Sequence, residues 1–187
     1  HHYGLVLSGA KPVYLDSYHL EEYSMYGGVP LKLIKNKLNE FKKAGRLDEV
    51  KIVLLTNCTF DGVVYNVERY MEEILAIKPD MIFLWDEAWF GYARFSSLFR
   101  RRTAMCAIRR LQKKFRSSKY REQYERQVQS GRSMAGMPDP DKVELRVYAT
   151  QSTHKTLTSL RQGSMIHIYD EVFAKKAEDT FIEAYMT

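Results

Sequence analysis

The sequence predicts an α/β fold, a mainly parallel sheet sandwiched by helices, and three observations carry that expectation. Two near-continuous apolar runs, KIVLLT (51–56) and MIFLWDEA (81–88), flank a stretch with apolar residues at helical spacing. Strand, helix, strand with short connections implies a parallel sheet with right-handed crossovers. A third run, LRVYATQS (145–152), follows another helical stretch. The 187 residues, 45% hydrophobic and 28% charged, suit one domain with a real core.

Taken in order, HHYGLVLSG opens inside a helix, and KPVYLD (11–16) is a short strand candidate entered from a loop. Pro30 suits the first turn of a helix. Leu31, Ile34, Leu38 and Phe41 recur at helical spacing after it, ending near Gly45. KIVLLT is rich in β-branched residues, so a strand buried on both faces is expected. The polar loop NCTFDG (57–62) leads to a helix with Val67, Tyr70, Met71, Ile74 and Ile77 on its apolar face, stopped by Pro79. Residues 98–128 read as one long basic helix with Ala104, Ile108, Leu111 and Phe115 inward, followed by a loop at 130–141. After the strand at 145–150, SMIHIY (164–169) is a further strand candidate and 172–185 a helix. No internal repeat is present. The chain stops at EAYMT without a cap or breaker, so a piece of a longer polypeptide is expected.

Composition narrows the function classes. No apolar run approaches the roughly 20 residues that span a bilayer, and no secretory leader is visible. Cys58 and Cys106 lack framework spacing, which favours a reducing, cytoplasmic setting. No Cys/His cluster has metal-ligand spacing, so no metal is expected. The net charge of +6 is unevenly spread: Arg100 to Arg126 holds eleven Lys/Arg against Glu122 and Glu125, or +9, leaving −3 elsewhere. Such a face can bind phosphates, can be merely solvated, or can pair with acids of another subunit. Tyr120 and Tyr124 do not form a stacking platform, so nucleic acid is not an expected partner. The rival to an enzyme is a non-catalytic anion- or nucleic-acid-binding module using the 100–126 face.

Ligands of open α/β sheets sit at the carboxyl ends of parallel strands. Three strand ends here carry polar clusters, TNCTFDG, DEAW and QSTHK. They would bring Thr56, Asn57, Thr59, Asp86, Ser152, His154 and Lys155 to one edge if the strands are neighbours. One acid, one lysine, one histidine and several hydroxyls suit a pyridoxal phosphate enzyme. That cofactor needs a lysine for its Schiff base, an acid beside the pyridinium nitrogen, and hydroxyls or amides for its phosphate. Thr56, Asn57, Thr59 and Asp61 either contact the cofactor or substrate or simply satisfy backbone groups in a tight turn, where Gly62 tolerates positive φ. Glu87 is expected as a hydrogen-bonding partner, His167 as a satisfied interior histidine, and Cys58 as packing.

TNCTFDGVVYN, FLWDEAWFGYARF and YATQSTHKTLTSLRQGSMIH, in that order, closely resemble the major domain of the bacterial ornithine/lysine/arginine decarboxylases. The likeness runs through most of 1–98 and 143–187. It implies the aspartate-aminotransferase fold (fold type I), dependence on pyridoxal 5'-phosphate, and decarboxylation of a basic amino acid, with transamination as the alternative. It makes Lys155 the Schiff-base lysine, Asp86 the partner of the ring nitrogen and Ser152 a phosphate ligand. His154 would lie beside the cofactor and supply a proton, with Ala88 and Trp89 packed near the ring. A homodimer or larger homo-oligomer is implied in the same way. The family's phosphate-cradling loop and ring-stacking histidine would precede His1. The spacing from Asp86 to Lys155, 155 − 86 = 69 residues, exceeds what the resemblance leads one to expect, so about 100–141 reads as a basic helical insertion.

Overall fold

The computed structural model describes residues 2–131, 136–159 and 162–176. The chain begins with helix α1 (His2–Ser8), then a minimal antiparallel pair, β1 (His19–Leu20) and β2 (Met25–Tyr26). Helix α2 (Leu31–Lys43), strand β3 (Ile52–Thr56), helix α3 (Val67–Leu75) and strand β4 (Ile82–Asp86) follow. Helices α4 (Ala104–Phe115) and α5 (Ser118–Gln129) lead to strand β5 (Arg146–Ser152), the single turn α6 (Thr153–Thr156), strand β6 (Ser164–Asp170) and α7 (Glu171–Lys176).

The main sheet has the order β3-β4-β5-β6. The first three strands are parallel, with Thr56, Asp86 and Thr150 in lateral register, and β6 runs antiparallel to β5. Both crossovers step in the same direction across the sheet, so right-handed connections put α3 and α4 on the same face. Burial alternates accordingly: Leu55, Phe83, Trp85, Val147 and Ala149 are buried against the helices. Their neighbours Ile52 and Leu54 are 52% and 37% exposed on the other face.

Sandwiching by helices is therefore met on one face only among the described residues. The expectation that β3 is buried on both faces fails for the same reason, since no helix covers the face with Ile52 and Leu54 among the described residues. Residues 11–16 form no strand: Val13 and Tyr14 are exposed, and Leu15 alone packs against the core. Without a partner strand, an alternating pattern has no ladder to join.

The single basic helix expected over 98–128 is a 3-10 turn (Arg100–Arg102) and two α-helices. Ser117 breaks it by donating its hydroxyl to the Lys114 carbonyl, 2.7 Å, and accepting from Tyr120 N as the N-cap of α5. Helix α4 packs into the core, with Ala104, Ala107, Ile108 and Leu111 fully buried against the sheet and α3. It is the crossover layer the β4–β5 connection requires, and only its outer face is basic. The expected helix at 172–185 begins as α7; residues 177–185 lie outside the described residues.

Candidate active site at the carboxyl edge of the sheet

Parity along the parallel strands decides which residues share a surface. Thr56, Asp86 and Thr150 lie side by side, and Ser152, two residues beyond Thr150, keeps the same face. That face is the one opposite α3 and α4. Lys155 follows on the α6 turn, exposed, with Nζ 5.0 Å from the centre of the Trp89 ring. The Phe60 ring packs edge-on against Trp89 at 5.4 Å. Asp86 Oδ1 accepts a hydrogen bond from Ala88 N, 3.0 Å, which fixes the carboxylate at the start of the DEAW turn. The strands are neighbours, so Thr56, Asp86, Ser152, His154 and Lys155 come to one edge, with Trp89 beside Lys155, while Asn57 is buried.

The α6 turn is pinned from below. The Gly163 carbonyl accepts Thr153 N at 3.0 Å and pairs with His154 Nδ1 at 3.0 Å. A carbonyl can only accept, so Nδ1 is the donor in this pair and Nε2 is the ring nitrogen left to meet a ligand. A methyl group on Gly163 would stand 2.3 Å from Thr153 Oγ1, so this approach needs glycine. Gly163, Phe60 and Gln151 are contributors that motif reading passed over. Only for Gln151 was there a signal, since strand parity from Val147 and Ala149 turns it to the buried side.

Asn57, Thr59 and Glu87 serve architecture. Asn57 is fully buried and accepts from Tyr65 N at 3.1 Å. Its amide donates to Glu87 Oε1 at 3.0 Å and to the Arg102 carbonyl at 3.1 Å. Thr59 closes the turn through Val63, and Gly62 adopts φ +85° there. Glu87, 1% exposed, also accepts from Ala104 N at 2.7 Å and Gln151 Nε2 at 3.2 Å. Its carboxylate therefore caps α4, whose own N-cap residue Thr103 contributes no side-chain bond. Burial pushes the Glu87 carboxyl up from its ordinary value, against the pull of those donors.

His167 Nε2 pairs with Gln151 Oε1 at 3.1 Å, and desolvation lowers its pKa, so it is the satisfied, neutral histidine the sequence suggested. Cys58 is buried with Phe90 and Ala93, and burial raises its thiol pKa, which suits packing. Among the described residues no group of His, Cys, Asp and Glu could hold a metal ion, and no helix is long and apolar enough to cross a membrane.

Residues 1–115 match the family described as Orn/Lys/Arg decarboxylase, major domain. The chain belongs to that family. Among similar proteins, the biodegradative arginine decarboxylase of Escherichia coli (strain K12) is 33% identical over 174 residues, covering 88% of this chain and 18% of its own length. The lysine decarboxylase LdcA of Pseudomonas aeruginosa is 29% identical over 190 residues, covering 98% of this chain and 21% of its own. The lysine decarboxylase of Hafnia alvei is 29% identical over 191 residues, covering 97% and 19%. The chain thus spans about a fifth of the length of these decarboxylases. The family match ends with α4, while these relatives align on through the strand and turn that carry Lys155.

Proposed function

We propose that this chain is part of the cofactor-binding major domain of a pyridoxal 5'-phosphate-dependent decarboxylase with the aspartate-aminotransferase fold. Its substrate is a small basic amino acid, namely arginine, lysine or ornithine, and its products are CO₂ and the corresponding amine. The observation that carries the reading is the convergence of Asp86, Ser152 and Lys155 at the carboxyl edge of a parallel sheet in a member of this family.

The residues present fit the cofactor. An accessible lysine, a carboxylate positioned by a backbone amide and a hydroxyl strand end are the donor set it needs. Lys155 would hold it covalently, Asp86 would keep a proton on the ring nitrogen, and Ser152 would donate to the phosphate. When bound, the cofactor supplies an electron-accepting ring that stabilises the negative charge left at Cα as CO₂ departs. His154, its Nδ1–H committed to Gly163, offers Nε2 to carry the proton that replaces CO₂ at Cα. Trp89, with Phe60 against it, shields the Lys155 amine from water on one side. Ala88 leaves room for a planar ring beside Asp86. Pairing into a homodimer or larger assembly is part of the proposal, and the open sheet face with Ile52 and Leu54 exposed is compatible with it.

The test is the full-length protein with pyridoxal phosphate, beside Lys155→Ala. The parent should show a visible absorption band that borohydride traps as a modified peptide containing Lys155, and should release CO₂ from one of the three basic amino acids. Attachment at another lysine, or none, overturns the reading.

A further inference from the structure

The basic segment divides by its partners. Arg110, Lys114, Arg116, Arg121 and Arg126 each meet a carboxylate, of Glu68, Glu72, Glu171, Asp141 and Glu122 respectively. Arg100, Arg101, Arg102, Arg109, Lys113 and Lys119 of the segment, and Arg94 just before it, form no salt bridge with a carboxylate among the described residues. The Arg100 guanidinium instead donates to the Arg94 carbonyl, 3.1 Å. Four of these unneutralised cations, Arg94, Arg100, Arg109 and Lys113, border one groove of about 710 Å³ between α4 and β6. They come from separate places, the 3-10 turns after β4 and the outer face of α4, yet they converge.

The rest of the lining is equally specific. Glu87 is the one acid among the residues bordering the groove, and its carboxylate is already engaged by three donors. Phe95, Met165 and Ile166 border it as well, 76%, 36% and 52% exposed, and give it an apolar wall. The groove runs along the outer edge of β6: Gln151, Met165 and His167 border it from the helix-covered face, and Ile166 and Ile168 reach it from the face that carries Thr150 and Ser152. Its size falls within the roughly 300–1,000 Å³ of small-molecule sites. Arg109 and Lys113, four residues apart on α4, repel each other until an anion sits between them.

We propose that this groove binds a small organic polyanion, carrying two or more carboxylate or phosphate groups on an apolar frame. The guanidinium forks of Arg94, Arg100 and Arg109 and the Lys113 ammonium take the anionic groups. The frame lies against Phe95 and Met165. A nucleic-acid backbone fits less well, because the pairing of Arg110, Lys114, Arg116, Arg121 and Arg126 interrupts any track of positive charge along α4 and α5. The inference is independent of the cofactor reading, since no residue of the candidate active site takes part.

The experiment is calorimetric titration of the full-length protein with benzene-1,3,5-tricarboxylate, using benzoate as the single-charge control. One saturable site per chain is expected, with benzoate at least about tenfold weaker and affinity falling as salt rises. Arg109→Ala/Lys113→Ala should weaken binding about tenfold or more. Arg121→Ala/Arg126→Ala, which removes two paired cations, should leave it unchanged. All four side chains are exposed, so both variants should fold, and circular dichroism checks that. Lys155→Ala should bind the tricarboxylate like the parent, which separates failure here from failure of the decarboxylase reading. Absence of saturable binding, equal loss in the two double variants, or binding to an acidic peptide but not to the tricarboxylate overturns the proposal.

Discussion

Removing the Glu87 carboxylate should loosen the amino end of α4 while leaving the isosteric amide tolerated. In Glu87→Ala, Ala104 N and Gln151 Nε2 lose their acceptor, and Asn57 keeps one of its two, the Arg102 carbonyl. A buried donor left unsatisfied costs about 1–3 kcal/mol, so two such losses plus a cavity come to about 3–5 kcal/mol. Glu87→Gln behaves differently. Its amide oxygen still accepts from Ala104 N and Asn57, and its NH₂ meets Gln151 once that side chain rotates to present Oε1. Gln151 then donates to His167 Nε2, which neutral histidine can accept. The cost should stay below about 1 kcal/mol.

Hydrogen exchange across residues 100–108 of the full-length protein reads this directly, because α4's first turn must open for those amides to exchange. At about 1.4 kcal/mol per tenfold, Glu87→Ala should speed exchange there about 100-fold or more. The pH dependence has a definite sign. Burial raises the Glu87 carboxyl above its ordinary value of 4.5, so the native state holds its proton more tightly than the unfolded chain. That advantage is full below 4.5 and is lost as pH rises through the raised value. Glu87→Gln should abolish this slope. If Ala and Gln cost the same, fixed charge and not hydrogen-bond geometry holds this edge together, and the reasoning fails.

Further outcomes follow from other contacts. Gly163→Ala should lower decarboxylation by displacing Thr153 and the α6 turn, with exchange in β4 unchanged; wild-type activity would show that the turn does not position Lys155. Asp170, held below its ordinary value of 3.8 because the Phe173 amide, the Tyr148 hydroxyl and Arg146 outweigh desolvation, contributes stability that is lost as pH falls below 3.8. Asp170→Asn should remove that acid sensitivity in a pH series of unfolding. Tyr120→Phe leaves the Pro138 carbonyl without its 2.9 Å donor and should cost about 1 kcal/mol, read as faster exchange in α5. Trp89→Leu removes a contact worth about 0.5–1 kcal/mol to the Lys155 ammonium, and should raise the acylation rate of Lys155 in cofactor-free protein.

The sequence alone settled the strand–helix–strand order, the helix faces and the three polar strand ends, because local periodicity and turn residues encode them within a few positions of one another. Ser152, His154 and Lys155 could be placed beside Asp86 on that basis, since parallel strands must end at one edge. Glu87 could be assigned a structural role, but not its three donors, which come from β3's end, β5 and the first amide of α4. Those partners meet only once the sheet order and lateral register are fixed. The same limit misjudged residues 11–16, a short strand candidate with no neighbouring strand to pair with, and β3, whose second apolar face has no cover among the described residues. It also hid the division of the basic segment. Eleven cations in a row look alike in sequence. Only the packing of α4 against α3 and the sheet neutralises some of them and turns others toward a shared groove, because whether a charge finds a counter-charge is a property of distance in space, not along the chain.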